Sequence, residues 1–333
     1  MHINPASENN GDRPLGAQMK QKLGFLFRVF ATLALIGLVV RKLNWPSVAA
    51  ILSRADWHIL ATASALTCIP VILLSVRWQL FIRQQGISAS NKNVFFLTWA
   101  GQFFNTVLPG STGGDFVKMF HLCRIAPNNK SGAIASVVVD RLAALSALLV
   151  LAAGSLFRQP IPRLPEGWQF PTWLISGAAV LALIILLFAF FLSRRMSAYA
   201  RFSSFIEAMK VGVKPDIALA AGLALAFAIH LFSFFLFFLF SRALGFHITY
   251  SQTLVILPVL LALMLVPITV NGHGLREVVL IYYFQALGIL PASGSPASAA
   301  EFVVSLSILL VANELLWSLP GVFFYMVRFR GIR

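Results

Sequence analysis

Seven ionisable residues stand inside stretches of the chain that are otherwise apolar: Asp115, Lys118, Asp140, Arg141, Arg276, Glu277 and Glu314. A charge at the centre of a membrane-spanning helix costs about 2.5–3.5 kcal/mol on insertion scales, so each of these side chains needs a partner and marks a site. Four acids face three bases, a near-balance that predicts an internal ion-pair network. Helical neighbours point about 100° apart, so Asp140 with Arg141, and Arg276 with Glu277, are expected to find partners elsewhere. Such a network has two readings. It is either a static brace or a set of pairs that break and re-form as a charged headgroup passes.

Two Pro/Gly breaks bring further chemistry. The first is Leu108-Pro109-Gly110-Ser111-Thr112-Gly113-Gly114-Asp115, and the second is Val266-Pro267-Ile268-Thr269-Val270-Asn271-Gly272-His273-Gly274. Proline removes a backbone donor and glycine weakens a helix, so each break divides an apolar run into two half-helices. A half-helix starting after Thr112-Gly113-Gly114-Asp115 presents free N–H groups and a positive dipole end, with Lys118 one turn further on. The second break repeats this with Asn271-Gly272-His273-Gly274 followed by Arg276. Two helix starts backed by cations suit phosphate or carboxylate. The competing reading is local: Thr112 to Asp115 has capping-box spacing, and Asn271 is a good N-cap. His273 suits either proton transfer or capping. His230, in a Phe-rich run, reads as a packed helix contact, and Arg77-Trp78 as an interface anchor at the end of a span.

The elements that must position these groups are apolar runs of membrane-spanning length at 24–40, 59–76, 131–157, 172–193, 217–241 and 301–327;. The two broken runs cover 94–123 and 251–287. The offset that carries Pro109 onto Pro267 also carries Leu108 onto Val266, Ser111 onto Thr269, Gly114 onto Gly272, Lys118 onto Arg276 and Ile59 onto Ile217, which predicts an internal duplication;. If both broken runs are re-entrant hairpins, the basic residues of the 194–214 loop and of both chain ends fall on one side, as the positive-inside rule requires. The expected fold is therefore all-α: six spans plus two re-entrant broken-helix hairpins, in preference to eight spans. Residues 1–23 are a flexible cytoplasmic tail. Residues 24–157 and 172–327 are two inverted repeats whose break tips meet near the midplane, with both chain ends cytoplasmic. Irregular backbone at that depth must line a wet cavity or be buried in protein.

Composition narrows the function classes. Of 333 residues, 59% are apolar and 11% charged, and the mean hydropathy is +0.83. Soluble domains carry about 25% charged residues, so this is a polytopic membrane protein. The net charge of +15 lies in short clusters between apolar runs, which argues for topology rather than nucleic acid;. Cys68 and Cys123 are too few for a disulfide framework or a zinc site. Neither a Walker A motif nor an H-E-x-x-H motif occurs;. No cofactor, metal or catalytic residue is assigned.

The pattern Asn105…Leu108-Pro109…Gly113-Gly114-Asp115 with Lys118, then Asp140-Arg141-Leu142, then Pro267…Gly272-His273-Gly274-Leu275-Arg276-Glu277 resembles the lysylphosphatidylglycerol synthase transmembrane region, or flippase-like domain family. The resemblance runs from about 24 to 327. It departs from the family at Asp140, where Glu is more usual. It implies a flippase-like transporter that moves a polar or phosphate-bearing lipid between leaflets of the cytoplasmic (inner) membrane. The substrate-binding set is then Asn105, Ser111, Thr112, Gly113, Gly114, Asp115, Lys118, Asp140, Arg141, Asn271, Gly272, His273, Gly274, Arg276, Glu277 and Glu314. In full-length multiple-peptide-resistance relatives the region is fused to a soluble aminoacyl-transferase domain. Only about 23 residues precede the first span here, so this chain is not expected to attach lysine to lipid by itself, and a separate lipid-modifying transferase would be its partner. The alternatives are an intramembrane enzyme with Asp140 or Glu277 as base, or an accessory subunit, in lipid-linked sugar, aminoacyl-phospholipid or hopanoid metabolism.

Overall fold

The computed structural model describes residues 43–107, 113–158, 203–265, 272–289 and 299–329, together with Gly37 and Thr269. Every regular element among them is a helix: α1 (Trp45–Ser53), α2 (Trp57–Leu66), α3 (Cys68–Gln84), α4 (Asn91–Val107), α5 (Gly113–Ile125), α6 (Lys130–Arg158), α7 (Ser203–Gly212), α8 (Ile217–Ala243), α9 (Tyr250–Met264), α10 (Leu275–Ala286) and α11 (Ala299–Phe329). The expected spans at 24–40, except Gly37, and at 172–193 lie outside the described residues, as does the tail at 1–23.

Four stretches are long and apolar enough to cross a bilayer: Trp57–Gln84, Lys130–Leu156, Ile217–Ala243 and Ala299–Val327. They coincide with four of the apolar runs, and the chain is a polytopic, all-helical membrane protein. The first stretch continues past the expected end at 76, because α2 and α3 join at Thr67 and α3 carries on to Gln84. Starts are set by local chemistry. Asp56 accepts from the N–H groups of His58 and Ile59 to open α2, and Asp216 accepts from Leu219 N–H to open α8;. Thr249 and Gln252 form a capping box at the start of α9;.

Both broken runs are pairs of half-helices in contact. In the first, α4 and α5 lie side by side, with Gly114 against Gly101 so closely that a Cβ at Gly114 would lie 2.0 Å from the Gly101 carbonyl oxygen. In the second, Ile256, Leu257 and Leu260 of α9 share a core with Leu280, Tyr283 and Phe284 of α10. Helix α11 touches α4 of the first hairpin and α10 of the second, while α6 touches α3, α5, α8 and α9. These two long helices therefore hold the hairpins in one bundle. Trp99 Nε1–H donates to the Trp317 carbonyl at 2.6 Å, and the Trp99 carbonyl lies where a Cβ on Gly321 would stand, 2.4 Å away.

Candidate functional site

The start of α5 is fixed from α4. Asn105 Oδ1 accepts from Gly114 N–H at 2.8 Å, satisfying one of the donors a helix start leaves open;. Gly113, Gly114 and Asp115 are all buried. Asp115, in the first turn at the positive end of the helix dipole, accepts from Arg141 Nε of α6;. Asp115 is thus an ion-pair partner, which the capping reading had not required. The Arg141 side chain is 44% exposed. Lys118 is buried one turn further on. Its ammonium lies 5.0 Å from the centroid of the Trp78 ring, and its stem lies across Gly101, where a Cβ would meet Cε at 3.2 Å. Among the described residues Lys118 has no hydrogen bond or ion pair.

Behind this tip, Arg77 of α3 donates from Nε to Asp140 Oδ1 at 2.7 Å and from Nη2 to Asp140 Oδ2 at 3.1 Å. Both side chains are buried, and the neighbouring Trp78 Nε1–H reaches Ser136 Oγ at 3.3 Å. The interface-anchor reading of Arg77-Trp78 is therefore corrected. Because α3 continues to Gln84, Arg77 falls inside the bundle and is the base that Asp140 required. The imbalance of four acids against three bases was the sequence signal for a missing cation. Asp140 and Arg141 diverge as expected, one toward α3 and the other toward α5.

Arg276 and Glu277 overturn the matching expectation, because they pair with each other. Glu277 Oε1 accepts from Arg276 Nε at 3.1 Å and from Nη2 at 2.9 Å, while Oε2 accepts from Gly274 N–H at 2.6 Å. The carboxylate turns back to cap its own helix start, and the long arginine side chain folds over to meet it. Gly272 and Gly274 hold φ of +75° and +83°, backbone that favours glycine;. His273 between them is half-buried. The two hairpins thus share a motif: the third residue of the second half-helix is an acid, Asp115 or Glu277, and each acid holds an arginine.

A cavity of about 390 Å³ opens between the start of α10 and α11. His273, Arg276, Glu277 and Ser307 form its polar end, and Val304, Ile308, Val311 and Leu315 are among its apolar walls. Among the described residues the buried hydroxyl oxygen of Thr269 has no hydrogen-bond partner, while the Ser307 hydroxyl lies against the Glu277 carboxylate. Glu314, on the same helix as Ser307, is exposed and accepts from Thr106 Oγ1 of α4 at 2.9 Å. Glu314 also lies within electrostatic reach of the His273 ring.

The structure thus gathers Asn105, Gly113, Gly114, Asp115, Lys118, Asp140 and Arg141 into one group, and Gly272, His273, Gly274, Arg276 and Glu277 into another, with Glu314 linking them. Ser111, Thr112 and Asn271 lie outside the described residues. His230 is a packed contact as expected, with Nε2 3.1 Å from the Ala144 carbonyl. Among the described residues no cluster of three or more His, Cys, Asp and Glu side chains could hold a metal ion.

Comparison with known proteins bears on this geometry. The family described as Lysylphosphatidylglycerol synthase TM region matches residues 25–312. A UPF0104 membrane protein of Methanocaldococcus jannaschii is 30% identical over 121 residues, 36% of this chain and 34% of the relative. Another from Pyrococcus horikoshii is 32% identical over 94 residues, 28% of each chain. The aligned part thus spans about a third or less of these two relatives. A third, from Methanothermobacter thermautotrophicus, is 20% identical over 286 residues, 76% of this chain and 83% of the relative. No solved structure matches.

Proposed function

This chain belongs to the lysylphosphatidylglycerol synthase TM region family, and from that premise we propose that it moves a polar or phosphate-bearing lipid between the leaflets of the cytoplasmic membrane. The observation that carries the reading is the cavity between α10 and α11. Its polar end, with Arg276, Glu277 and His273, suits a headgroup, and its apolar walls run along a spanning helix. The neighbouring Leu316 and Leu319 of α11 are exposed, so acyl chains can stay in the hydrocarbon while the headgroup sits inside. Two inverted halves, 24–157 and 172–327, with both chain ends cytoplasmic, would open this site to each leaflet in turn. Arg141 and Arg276 contact the phosphate, Lys118 supplies positive charge beneath, and the acids compete for the arginines as the headgroup passes.

The second reading, an intramembrane enzyme using Asp140 or Glu277 as base, is disfavoured by the hydrogen bonds of those two carboxylates. Both oxygens of Asp140 are held by Arg77, and both oxygens of Glu277 are held by Arg276 and Gly274. A general base must reach the proton it abstracts, and Asp140 is buried against Arg77 away from the residues that line the cavity. Incubating the purified chain in proteoliposomes with labelled phospholipid separates the readings. Transport predicts leaflet redistribution with unchanged lipid mass, whereas a new lipid product without redistribution would overturn it.

A further inference from the structure

Away from the charged interior, a cavity of about 500 Å³ lies between the end of α3 and the start of α4. Gln79, Arg83, Ser88 and Ser90 are its polar lining, and Arg83 is the only charged one among the described residues that line it. Gln79 and Arg83 stand one turn apart on α3, so they share a face;. Gln79 is 7% exposed, its Nε2 donates to the Ala89 carbonyl at 3.0 Å, and its Oε1 has no partner among the described residues. The amide cannot turn over, because a flipped Gln79 would set two oxygens against each other. An acceptor in need of a donor therefore lines the same cavity as a guanidinium. We propose that this cavity binds inorganic phosphate, which accepts from Arg83 and donates its remaining P–O–H to Gln79 Oε1.

The walls are fixed before any ligand arrives. Gly86 holds a φ of +70°, its N–H donates to the Arg83 carbonyl at 2.9 Å, and Ile87 N–H donates to the Ile82 carbonyl at 3.2 Å. Ile87 then packs into a core with Trp78, Ile82, Val94 and Leu97, which sets the course of the loop at 86–90. Arg83 Nη2 donates to Asn91 Oδ1 at 3.0 Å, tying the guanidinium to the first turn of α4. Arg83 has no ion pair among the described residues, so its other N–H groups can meet an anion;. The Ser90 carbonyl accepts from Val94 N–H at 3.0 Å, which puts the positive end of α4 at the same loop;. Exposed Lys92 adds a second cation in that turn.

The unpaired acceptor sets the selectivity. Sulfate and a phosphodiester carry no proton on their oxygens near neutral pH and leave Gln79 unsatisfied, whereas orthophosphate keeps at least one. A phosphomonoester loses its last proton above a second pKa of about 6. The lining also points to a ligand from water. Gly86, Ser88 and Ser90 are exposed, and Ile87, the one large apolar member, is buried in the core, so no apolar wall is left for acyl chains.

The test is calorimetric titration of the full chain in detergent, free of phospholipid, with phosphate, sulfate and glycerol 3-phosphate at about pH 8, where the ester has lost its last proton. Phosphate is expected to bind about tenfold or more tighter than the other two, the value of one hydrogen bond to a charged group. At about pH 5 glycerol 3-phosphate regains its proton and should match phosphate, while sulfate stays weak. Arg83→Gln, a change on an exposed side chain, should abolish phosphate binding, and Gln79→Met should bring phosphate and sulfate level. Equal binding of sulfate and phosphate by the wild-type chain, or no binding at millimolar phosphate, would overturn the inference. So would phosphate binding that both variants leave unchanged. Displacement of phosphate by phosphatidylglycerol added to the micelles, but not by phosphatidylcholine, would assign the cavity to a lipid headgroup and overturn the soluble ligand. None of these outcomes touches the transport reading, because the cavity between α10 and α11 shares no lining residue with this one.

Discussion

Arg77 grips Asp140 with two parallel hydrogen bonds, 2.7 and 3.1 Å, from one spanning stretch to another, and neither side chain reaches the surface. Removing one partner of such a pair strands the other charge, which costs about 3–5 kcal/mol, whereas replacing both with apolar groups is close to neutral. Arg77→Met and Asp140→Leu should each lower the melting temperature of the detergent-solubilised protein sharply, and the double variant should recover most of the loss. Additive losses in the double variant would show that the two residues do not act as a pair.

Gly114 is the closest approach within the first hairpin. A methyl group there would lie 2.0 Å from the Gly101 oxygen, inside any tolerable contact, so Gly114→Ala must push α4 and α5 apart. Gly101→Ala meets the flexible Lys118 stem at 3.2 Å and the Gly114 carbonyl oxygen at an ordinary contact distance of 3.4 Å. The expected order is a loss of about 2 kcal/mol or more for Gly114→Ala and under about 1 kcal/mol for Gly101→Ala, read by thermal melting. The reverse order would contradict the packing.

Arg276 lines the cavity and, among the described residues, is held by the neighbouring carboxylate alone. Arg276→Ala should cut lipid movement in proteoliposomes about tenfold or more without unfolding the protein, because one charge-assisted contact to the headgroup is lost. Glu277→Gln keeps the acceptor for Gly274 N–H but frees the arginine, so it should tighten lipid binding while slowing release. Unchanged transport in both variants would remove this cavity from the pathway.

At the membrane edge, Asp216 opens α8. The Leu219 N–H bond and the Gln84 side chain hold its carboxyl below the usual aspartate range. A depressed carboxylate stabilises the fold above its unfolded pKa, and that contribution fades as pH falls through its lower folded value. Melting temperature should therefore decline from neutral toward acid pH by slightly more in the wild-type chain than in Asp216→Ala. Parallel pH profiles would show that the cap contributes nothing.

The amino-acid pattern reveals much of this fold and less of its site. The apolar runs at 131–157, 217–241 and 301–327 become α6, α8 and α11 nearly residue for residue, because composition alone decides what can lie in hydrocarbon;. The Pro/Gly breaks mark real helix ends at Val107 and Met264. Ion-pair partners are less visible, since they depend on which helices pack together. Asp140 finds a base 63 residues away, and Arg77 looks terminal only because the apolar run fades before the helix does. The Arg276–Glu277 pair defeats the 100° rule for a different reason: at a helix start the carboxylate bends back to cap Gly274, and the geometry of a regular helix no longer applies;.

The proposed lipid transport requires α4 and α11 to part where Thr106 meets Glu314. Thr106 and Glu314 span that junction at 2.9 Å. A Thr106→Cys/Glu314→Cys chain, with Cys68 and Cys123 replaced by Ser, can be bridged by a short reducible bis-thiol reagent in proteoliposomes. The account predicts that bridging stops leaflet exchange of labelled phospholipid and that reduction restores the rate seen before bridging. Equal exchange in the bridged and reduced protein would contradict it.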